Sequence, residues 1–274
     1  MNRETAFRKE EEQNRARWDE SAPVHFQSYD EITMLREGEE ILDPLELQEI
    51  GCVQGKTLLH LQCHIGTDSL AWARRGAKVT GVDFSPESIA CAASLRDELD
   101  LDARFVCSNV YDLESVLDEQ FDIVYTSRGV LCWLKDLPEW GRLIARFLKP
   151  GGVFYIMETH PILNAFEEID GEIVPAYSYF HQDQPTLWDD EEPDYADPDQ
   201  VIKNPSYEWI WSMSDILGAL LGAGLTIESL TEHNRLFFGL FPSMNKEGER
   251  WFRLPESTHG RLPLLFTLLA SKAA

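Results

Sequence analysis

Cysteines are few in this 274-residue chain, and they do not form a disulfide framework. They are odd in number and scattered, with no C-x-x-C pair: Cys52, Cys63, Cys91, Cys107 and Cys132. Such usage is typical of free thiols in a reducing compartment. The longest apolar run near either end, residues 262–270, is too short to span a bilayer. The charged start MNRETAFRKEEEQNR also lacks the apolar stretch of a signal peptide. The sequence therefore predicts a soluble cytoplasmic protein with no membrane partner.

Positive charge is scarce as well. The chain has 24 lysine and arginine residues against 48 aspartate and glutamate residues, a formal net charge of −24. A surface of this sign repels phosphate backbones, and no local basic patch is visible, so the composition argues against a nucleic-acid partner. Two interpretations of the acidity stay open. One is an ordinary solvated surface, and the other is adaptation to high salt.

The clearest pattern is the alternation of strands and helices between about residues 56 and 158. Strand-like runs cover residues 57–62, 77–83, 103–108, 121–126 and 152–158, and helical segments cover 67–75, 86–98 and 137–148. Ser85-Pro86-Glu87 is typical of a helix start, and Lys149-Pro150-Gly151-Gly152 of a helix stop. This alternation predicts a parallel sheet covered on both faces, with right-handed crossovers. A ligand site is then expected beyond the carboxyl ends of the strands.

The rest of the chain has a different character. Residues 1–50 are charged and predicted to form an N-terminal helical cap segment, while residues 51–274 are predicted to form one domain. Within that domain, residues 161–206 are rich in proline, aromatic and acidic residues and are interpreted as a lid-like insertion. Three strands and a helix are predicted to follow: strands 207–212, 225–233 and 263–272, and an apolar helix capped by Ser214-Asp215.

The stretch HLQCHIGTDSL, residues 60–70, gathers two histidines and a cysteine. Zinc accepts such donors, but a structural site needs four ligands and no second cluster with suitable spacing appears, so no metal is predicted. A strand, a tight turn and Gly66 at the start of a helix would instead offer backbone N–H groups to a ligand. Seventeen residues later, Asp83 ends the second strand, where a carboxylate can accept hydrogen bonds from ribose hydroxyls. The alternative is an ordinary strand–helix connection with a helix-capping Asp83.

The turn lacks two glycines of the G-x-G-x-x-G pattern, which stand as Gln62 and His64. Their side chains would crowd the pyrophosphate of a nicotinamide dinucleotide. S-adenosylmethionine has no phosphate, and its amino acid end and ribose tolerate polar side chains. The glycine-poor turn therefore favours S-adenosylmethionine over the dinucleotide.

Residues 58–158 resemble the core of the class I S-adenosylmethionine-dependent methyltransferases. LLHLQCHIGTDSLAWARRGAKVTGVDFSPESI is similar to a bacterial branch whose first motif is L-H-L-Q-C-x-x-G, with His60 in place of the usual acid. The resemblance implies an α/β fold: a Rossmann-like, seven-stranded, mostly parallel sheet with helices on both faces and its last strand antiparallel. It also implies the cofactor-binding residues: Gln62, Cys63, His64 and Gly66 for the methionine end, Asp83 for the ribose, Phe84, Asn109 and Val110 for the adenine, Ser127 in the fourth motif FDIVYTS, and Tyr29 in an N-terminal segment folded over the cofactor.

Methyl transfer requires the protein to hold the nucleophile close to the methyl group, exclude water and sometimes take a proton. The candidate bases are His160 and Glu158, just past the fifth strand, followed by His181 in the insertion and His25 in the N-terminal segment. The alternative for each histidine is a hydrogen-bonded structural or surface role. The acidic, aromatic stretch 177–195 fits either a cationic acceptor or a solvated loop.

The sequence thus predicts an S-adenosylmethionine-dependent methyltransferase that methylates an oxygen, nitrogen or carbon of a small-molecule acceptor and releases S-adenosylhomocysteine. One alternative is a non-catalytic protein that binds either form of the cofactor. A second is a nicotinamide-dependent oxidoreductase, which Gln62 and His64 disfavour. The identity of the acceptor, and the choice between a monomer and a homodimer, stay open.

Overall fold

The computed structural model describes residues 7–189, 191–248, 250–258 and 261–274. Its helices are α1 (Arg8–Ser28), α2 (Asp30–Glu37), α3 (Pro44–Ile50), α4 (Thr67–Arg74), α5 (Pro86–Leu99), α6 (Leu137–Phe147) and α7 (Met213–Gly222). Its strands are β1 (Thr57–Leu61), β2 (Lys78–Asp83), β3 (Ala103–Cys107), β4 (Phe121–Thr126), β5 (Leu148–Thr159), β6 (Phe166–Ile169), β7 (Glu172–Pro175), β8 (Thr186–Trp188), β9 (Glu192–Pro193), β10 (Val201–Ile202), β11 (Ser206–Glu208), β12 (Leu225–His233), β13 (Asn245–Glu247), β14 (Trp251–Arg253) and β15 (Leu265–Lys272). None of the described helices is long and apolar enough to cross a membrane.

Seven strands form the main sheet, in the order β12-β15-β5-β4-β1-β2-β3. β15 runs antiparallel to both β5 and β12, while the pairs among β1 to β5 are parallel. The predicted sheet, with its last strand antiparallel, is confirmed. The strand order reverses at β1, since β2 follows on one side and β4 lies on the other. The carboxyl ends of β1 to β5 therefore meet at one edge, where a ligand site is expected.

The central strands are buried on both faces, as parallel strands between two layers of helices should be. Leu59, Leu61 and Val124 belong to one apolar core, which Trp140 of α6 and Ile216 of α7 complete. The alternate residues of the same strands point the other way, into a second core with Trp72 of α4 and Leu35 of α2: these are Leu58, Ile123, Tyr125 and Tyr155. The two cores fix the sheet between its helices and leave the carboxyl edge for loops.

Local signals place most of the helix ends correctly. Ser85 caps α5, its hydroxyl accepting from the Ser88 N–H at 3.0 Å, and Pro86 opens the helix as predicted. The predicted cap Ser214-Asp215 is wrong. The N-cap of α7 is Ser212, whose N–H donates to the Asp215 carboxylate at 2.9 Å in a reciprocal capping box. A capping box places its acid three residues after the cap. With Asp215 as the acid, the cap is Ser212, and Ser214 therefore lies inside the first turn.

The predicted strand 207–212 is also wrong. Only its first two residues lie in a strand, β11, which pairs with β8 in a separate two-stranded ladder rather than with the main sheet. Trp209 and Trp211 are buried in the first core, and the Trp209 N–H donates to the Cys132 carbonyl at 2.8 Å. The apolar residues of this segment therefore serve packing instead of strand pairing.

The insertion 161–206 consists of short elements. It begins with a 3-10 helix, Pro161–Ala165, and continues with the β6–β7 hairpin and the ladders β8–β11 and β9–β10. Helix α1 is tied to the last residues of the insertion and to Tyr207, which follows it. The Asn14 side chain bonds both the N–H and the C=O of Tyr207, each at 2.7 Å, and Glu20 accepts from the N–H groups of Lys203 and Asn204.

Candidate functional site

The turn between β1 and α4 contains two non-glycine residues with left-handed backbone. Gln62 has φ 56° and His64 has φ 47°, conformations that cost about 1–2 kcal/mol per residue outside glycine. Hydrogen bonds hold the turn in this shape. The Cys63 N–H donates to the Val82 carbonyl at 2.9 Å, and the Gly66 N–H to the Cys63 carbonyl at 2.9 Å. The turn is thereby fixed against the end of β2.

Gly66 is required by close packing as well as by its φ of 77°. A Cβ at this position would lie 2.8 Å from the Ala92 Cβ in α5 and 2.8 Å from the Phe105 ring in β3. Gly66, the motif glycine that this turn keeps, therefore lets the start of α4 approach α5 and β3 closely.

Asp83 ends β2, and its side chain is almost fully buried. Its Oδ2 accepts from the His64 N–H at 2.8 Å, and its Oδ1 accepts from the Ser85 N–H at 2.9 Å. Burial raises the pKa of Asp83 to about 6, against the lowering effect of these N–H donors. Each carboxylate oxygen keeps a further lone pair that a ligand hydroxyl can use. Because Ser85 caps α5, the alternative of Asp83 as a helix cap is wrong.

His60 is a buried, neutral residue whose ring links two hydroxyl groups. Its Nδ1 lies 2.8 Å from the Ser69 hydroxyl and its Nε2 lies 3.1 Å from the Ser127 hydroxyl. Burial lowers the pKa of His60 to about 4. A neutral imidazole has one donor and one acceptor, and the two hydroxyls can rotate to complement them. His60 therefore places Ser127 without bringing a charge to the end of β1.

Two buried polar atoms, one in the turn after β1 and one at the end of β4, have no hydrogen-bond partner among the described residues. One is Oε1 of Gln62, whose Nε2 donates to the Val130 carbonyl at 3.1 Å, and the other is the Thr126 hydroxyl. Thr126 ends β4 and pairs with Leu61, the residue before Gln62. Leaving a buried polar atom unpaired costs about 1–3 kcal/mol, and native proteins rarely do so. A polar ligand tail lying across β1 and β4 would satisfy such atoms.

The loop after β3 borders the same edge. Asn109 caps a short 3-10 helix, its Oδ1 accepting from the Tyr111 N–H at 3.1 Å, and its Nδ2 donates to Glu11 of α1 at 3.0 Å. Val110 is buried in the first core, and Phe84 is half-buried beside Cys107, whose thiol lies 3.7 Å from the Phe84 carbonyl. Of the residues predicted to hold adenine, Asn109 thus has its side chain directed to α1.

Cys63 is buried within the turn, and its Sγ lies 3.7 Å from the His64 carbonyl. Burial raises the pKa of its thiol well above the usual range, so Cys63 stays protonated and acts as a packing residue. Among the described residues, no group of three or more histidine, cysteine, aspartate or glutamate side chains could hold a metal ion.

A buried chain of polar side chains covers the turn. His25 of α1 has Nδ1 2.8 Å from His64 Nε2 and Nε2 2.9 Å from the Asp194 carboxylate of the insertion. His64 Nδ1 in turn lies 3.0 Å from the Ser88 hydroxyl. The Tyr29 ring stacks on His25 with centroids 4.9 Å apart, and its hydroxyl contacts that of Tyr195. Residues from α1, α5, the turn and the insertion therefore meet at one point.

The protonation states along this chain follow from burial and pairing. Burial lowers the pKa of His64 well below its usual value, so its imidazole is neutral. Burial raises the pKa of Asp194, but the hydrogen bond from His25 and two backbone N–H groups lower it by more, so the carboxylate is ionised. An ionised carboxylate accepts only, so Nε2 of His25 carries a proton toward Asp194.

The three other candidate bases lie elsewhere at the edge. Glu158, at the end of β5, accepts from the N–H groups of Gly129, Val130, Leu131 and Thr159 at 2.6–3.3 Å. His160 accepts from the Ile162 N–H through Nδ1, and its Nε2 lies 2.9 Å from Glu232. His181 has Nδ1 2.8 Å from the Ile210 carbonyl and stacks on Trp211. All three are engaged with their own surroundings, and none contacts the His25–His64 pair.

The structure thus brings together the residues predicted around the first turn and around α1, but not the bases predicted after β5 and in the insertion. Sequence reasoning missed Asp194 and Ser88. Asp194 is one of many acids in the insertion, and nothing local distinguishes it. Trp133 was missed too; its ring lies 5.3 Å from that of Trp18, which lies 4.9 Å from His64.

Comparisons with known proteins agree with this architecture. The family model described as a methyltransferase domain matches residues 49–156. The cypemycin N-terminal methyltransferase of a Streptomyces species is 37% identical over 112 residues, which is 40% of this chain and 44% of that protein. A ubiquinone biosynthesis O-methyltransferase of Stutzerimonas stutzeri is 35% identical over 124 residues, covering 44% of this chain and 52% of that protein. The chain spans about half the length of these curated relatives.

Solved structures extend the likeness beyond the matched domain. A putative S-adenosylmethionine-dependent methyltransferase from Listeria monocytogenes superposes with a TM-score of 0.61 at 18% identity, over 84% of this chain and 97% of that one. Another from Mesorhizobium loti gives 0.58 at 20% identity, over 84% and 96%. The chain therefore has the fold of the S-adenosylmethionine-dependent methyltransferases, and its residues 49–156 match the methyltransferase domain family.

Proposed function

We propose that this protein is an S-adenosylmethionine-dependent methyltransferase acting on an oxygen, nitrogen or carbon of a small-molecule acceptor. The observation that carries the proposal is the pairing of Asp83 with the turn after β1, at the point where the strand order reverses. That crevice is where open α/β sheets bind their ligands. The N- and O-methyltransferases among the curated relatives support the reaction type.

The turn and the acid suit the proposed cofactor. The Asp83 carboxylate is available to the ribose hydroxyls of the cofactor. The turn from Gln62 to Gly66 is available to its methionine end. The adenine position is bordered by Phe84, Asn109 and Val110. Tyr29 and Ser127 flank the tail. When bound, the sulfonium supplies an activated methyl carbon, so the chain has only to position the acceptor, exclude water and hold a proton. Side chains on Gln62 and His64 argue against the close pyrophosphate contact of a dinucleotide.

We assign the general base to His25 among the four candidates. Its Nε2 lies 2.9 Å from the Asp194 carboxylate, and its Nδ1 faces the turn, 2.8 Å from His64 Nε2 and 3.2 Å from the Tyr29 hydroxyl. An acceptor hydroxyl or ammonium group within hydrogen-bond distance of Nδ1 would give its proton to this nitrogen. Glu158, His160 and His181 are not assigned the role of base, because none of them contacts the His25–His64 pair.

The domain organisation follows from the same contacts. We propose that the N-terminal segment 1–50 and the insertion 161–206 close over the site as one lid, because α1 binds Tyr207, Lys203 and Asn204 through Asn14 and Glu20. His25 and Asp194 then seal the lid onto the turn. The five cysteines are all free thiols, which supports a cytoplasmic location.

Cofactor binding and turnover test the proposal separately. Isothermal titration with S-adenosylhomocysteine and with NADH should show binding of the former only. Transfer of a labelled methyl group from the cofactor should then be found within a panel of phenols, amines, carboxylic acids and activated carbon acids. A protein that binds NADH and ignores S-adenosylhomocysteine would be an oxidoreductase. If His25→Asn leaves both cofactor affinity and the turnover of every acceptor unchanged, the base assignment is wrong.

A further inference from the structure

We propose that Arg128 and Arg235 form an anion site that binds a carboxylate of the acceptor, across β4 from the proposed cofactor site. The inference rests on the proposed function and deepens it, because it names a substrate class: small molecules that carry a carboxylate. Neither arginine belongs to the turn after β1, to the end of β2 or to the proposed lid.

Both arginines lie at the carboxyl edge of the sheet. Arg128 is in the loop directly after β4. Arg235 is near the start of the segment 234–264, which leaves this edge after β12 and returns to it at β15, because His233 pairs with Leu265. The sheet order puts β12, β15 and β5 on one side of β4 and β1 and β2 on the other. A molecule held by these arginines therefore meets the cofactor from across β4.

The segment 234–264 is basic although the chain is acidic. It has five lysine and arginine residues and three glutamates, whereas the whole chain has 24 basic and 48 acidic residues. The insertion 161–206, by contrast, has twelve acidic residues and one lysine. Positive charge gathered in one segment attracts anions to that part of the surface. An anionic acceptor is thus expected at the segment 234–264 and not at the insertion.

Arg235 is held mainly by the face of its guanidinium group. Its Cζ lies 3.9 Å from the centroid of the Trp251 ring. Its Nη2 lies 3.9 Å from Oδ1 of Asp43, which is too far for a hydrogen bond. Stacking on an aromatic ring leaves the in-plane N–H groups for a planar partner, and a carboxylate can bind two of them at once. The side chain is 28% exposed, so a ligand can reach it.

Arg128 is oriented in a similar way. Its Cζ lies 5.5 Å from the centroid of the Phe237 ring, and its Nη2 donates to Oε2 of Glu46 at 2.9 Å. Its Nε is buried and has no hydrogen-bond partner among the described residues. A guanidinium group has five N–H donors, and an unpaired donor on a charged group is costly in a protein interior. An oxygen atom of a bound ligand would remove that cost.

The first turn of α3 connects the two arginines. The Asp43 N–H donates at 2.9 Å to Oε2 of Glu46, the same oxygen that Arg128 contacts. Oδ1 of Asp43 is the oxygen nearest to Arg235, and it accepts from the N–H of Leu45 at 2.8 Å. The two guanidinium groups therefore lie beside the two acids of one capping box. These acids fix the arginines in place and are themselves held by backbone N–H groups of α3.

A small anion and its neutral isostere test the site. Benzoate and benzamide have nearly the same shape, but only benzoate is charged. Ligand-observed NMR titrations of the intact protein, saturated with S-adenosylhomocysteine, should show benzoate bound about tenfold tighter than benzamide or more, as charge-assisted hydrogen bonds require. Saturation with S-adenosylhomocysteine keeps benzoate out of the position of the cofactor's own carboxylate. Equal binding of the two fragments, or no binding of benzoate, overturns the inference.

Variants assign the preference to the two arginines. Arg235→Met keeps the apolar stem and removes the donors, so the ratio of the two dissociation constants should fall to about one. Arg128→Met leaves the buried Glu46 unpaired, so it is combined with Glu46→Gln, and this double variant should also lose the preference. Arg104→Met is the matched control, because Arg104 is an exposed residue of β3, paired with Glu119 at the far side of the sheet. Its ratio should stay at the wild-type value.

The affinity for S-adenosylhomocysteine separates the remaining outcomes. It should be unchanged in Arg235→Met, and a tenfold loss there would mean that the arginine binds the cofactor's carboxylate, which overturns the assignment to the acceptor. A wild-type ratio that persists in Arg235→Met and in the double variant overturns the inference and leaves the proposed function intact. If the wild-type protein does not bind S-adenosylhomocysteine at all, the proposed function itself fails.

Discussion

The backbone N–H of His64 donates to Oδ2 of Asp83 across 2.8 Å. This bond joins the turn after β1 to the acid at the end of β2, so the two parts of the proposed cofactor site cannot move independently. It also stabilises the left-handed backbone of His64, which has φ 47°. The carboxylate therefore has two roles: it organises the turn and it remains available to a ligand.

Replacing Asp83 by asparagine should weaken S-adenosylhomocysteine binding by about tenfold or more at pH 7, because a charged acceptor for the ribose hydroxyls is lost. The pKa of Asp83 is raised to about 6, so the wild-type affinity should increase as the pH rises through that value. Isothermal titration between pH 5 and 8 measures both effects. An affinity in the variant that equals the wild-type value would remove Asp83 from the ribose site.

The same pKa makes a prediction for stability. The folded protein binds a proton on Asp83 between pH 4 and 6 more tightly than the unfolded chain, so this group lowers the free energy of unfolding as the pH rises through that range. The change amounts to about 3 kcal/mol. Urea unfolding should show this slope in the difference between wild type and Asp83→Asn. A difference that does not vary with pH would contradict it.

His60 should give a slope of the opposite sign. Burial lowers its pKa to about 4. Between pH 6.5 and 4, His60 is therefore protonated in the unfolded chain and neutral in the folded protein. Stability contributed by this group is complete above pH 6.5 and falls by about 3 kcal/mol as the pH drops to 4. The free energy of unfolding of wild type, minus that of His60→Asn, should show this loss on urea unfolding. A flat difference would mean that the pKa of His60 in the folded protein equals that in the unfolded chain.

Gly66→Ala should destabilise the protein by about 2–4 kcal/mol, because the left-handed backbone is strained and the new Cβ meets Ala92 and Phe105 at 2.8 Å. Gly151→Ala is the matched control. Gly151 has φ 73°, but nothing lies within 4 Å of a Cβ there, so only the backbone cost of about 1–2 kcal/mol applies. Equal losses in the two variants, measured by urea unfolding, would contradict the packing argument.

Asp194→Asn should loosen the lid, since a charge-assisted hydrogen bond to His25 is lost at a cost of about 1–3 kcal/mol. Backbone amides of residues 186–208 and of α1 around His25 should exchange faster with deuterium, and those of β1 and β4 should not change. Asp183→Asn alters an exposed acid of the same insertion and should leave exchange unaffected. Unaltered exchange in Asp194→Asn would mean that other contacts hold the insertion down.

Most of the alternating core could be predicted from the sequence because its signals are local. Ser85 and Pro86 mark the start of α5 in the sequence and in the structure. The same kind of reasoning failed at residues 207–212, where the apolar pattern suggested a strand. There, tertiary packing of Trp209 and Trp211 into the core outweighed the tendency of the segment to extend.

The candidate site likewise contains some residues that could be predicted from the sequence and others that could not. Asp83 and Gly66 could be found because each occupies a fixed position relative to its strand or helix. The pairing of His25 with Asp194 could not, because 169 residues separate them and the insertion contains many equivalent acids. The backbone partners of Glu158 and His160 could not be predicted either. Nearly every residue has a backbone N–H group, so the sequence does not show which of these groups a side chain will meet.

The sequence by itself determined the order of strands and helices along the chain, the edge at which a ligand site is expected and the acid that ends β2 there, because periodicity and capping act between residues a few positions apart. Only the tertiary structure decided which histidine meets the turn, which carboxylate orients it and which buried polar atoms stay unpaired. These depend on distances between segments far apart in the chain, and burial sets their charge states only once the chain has folded.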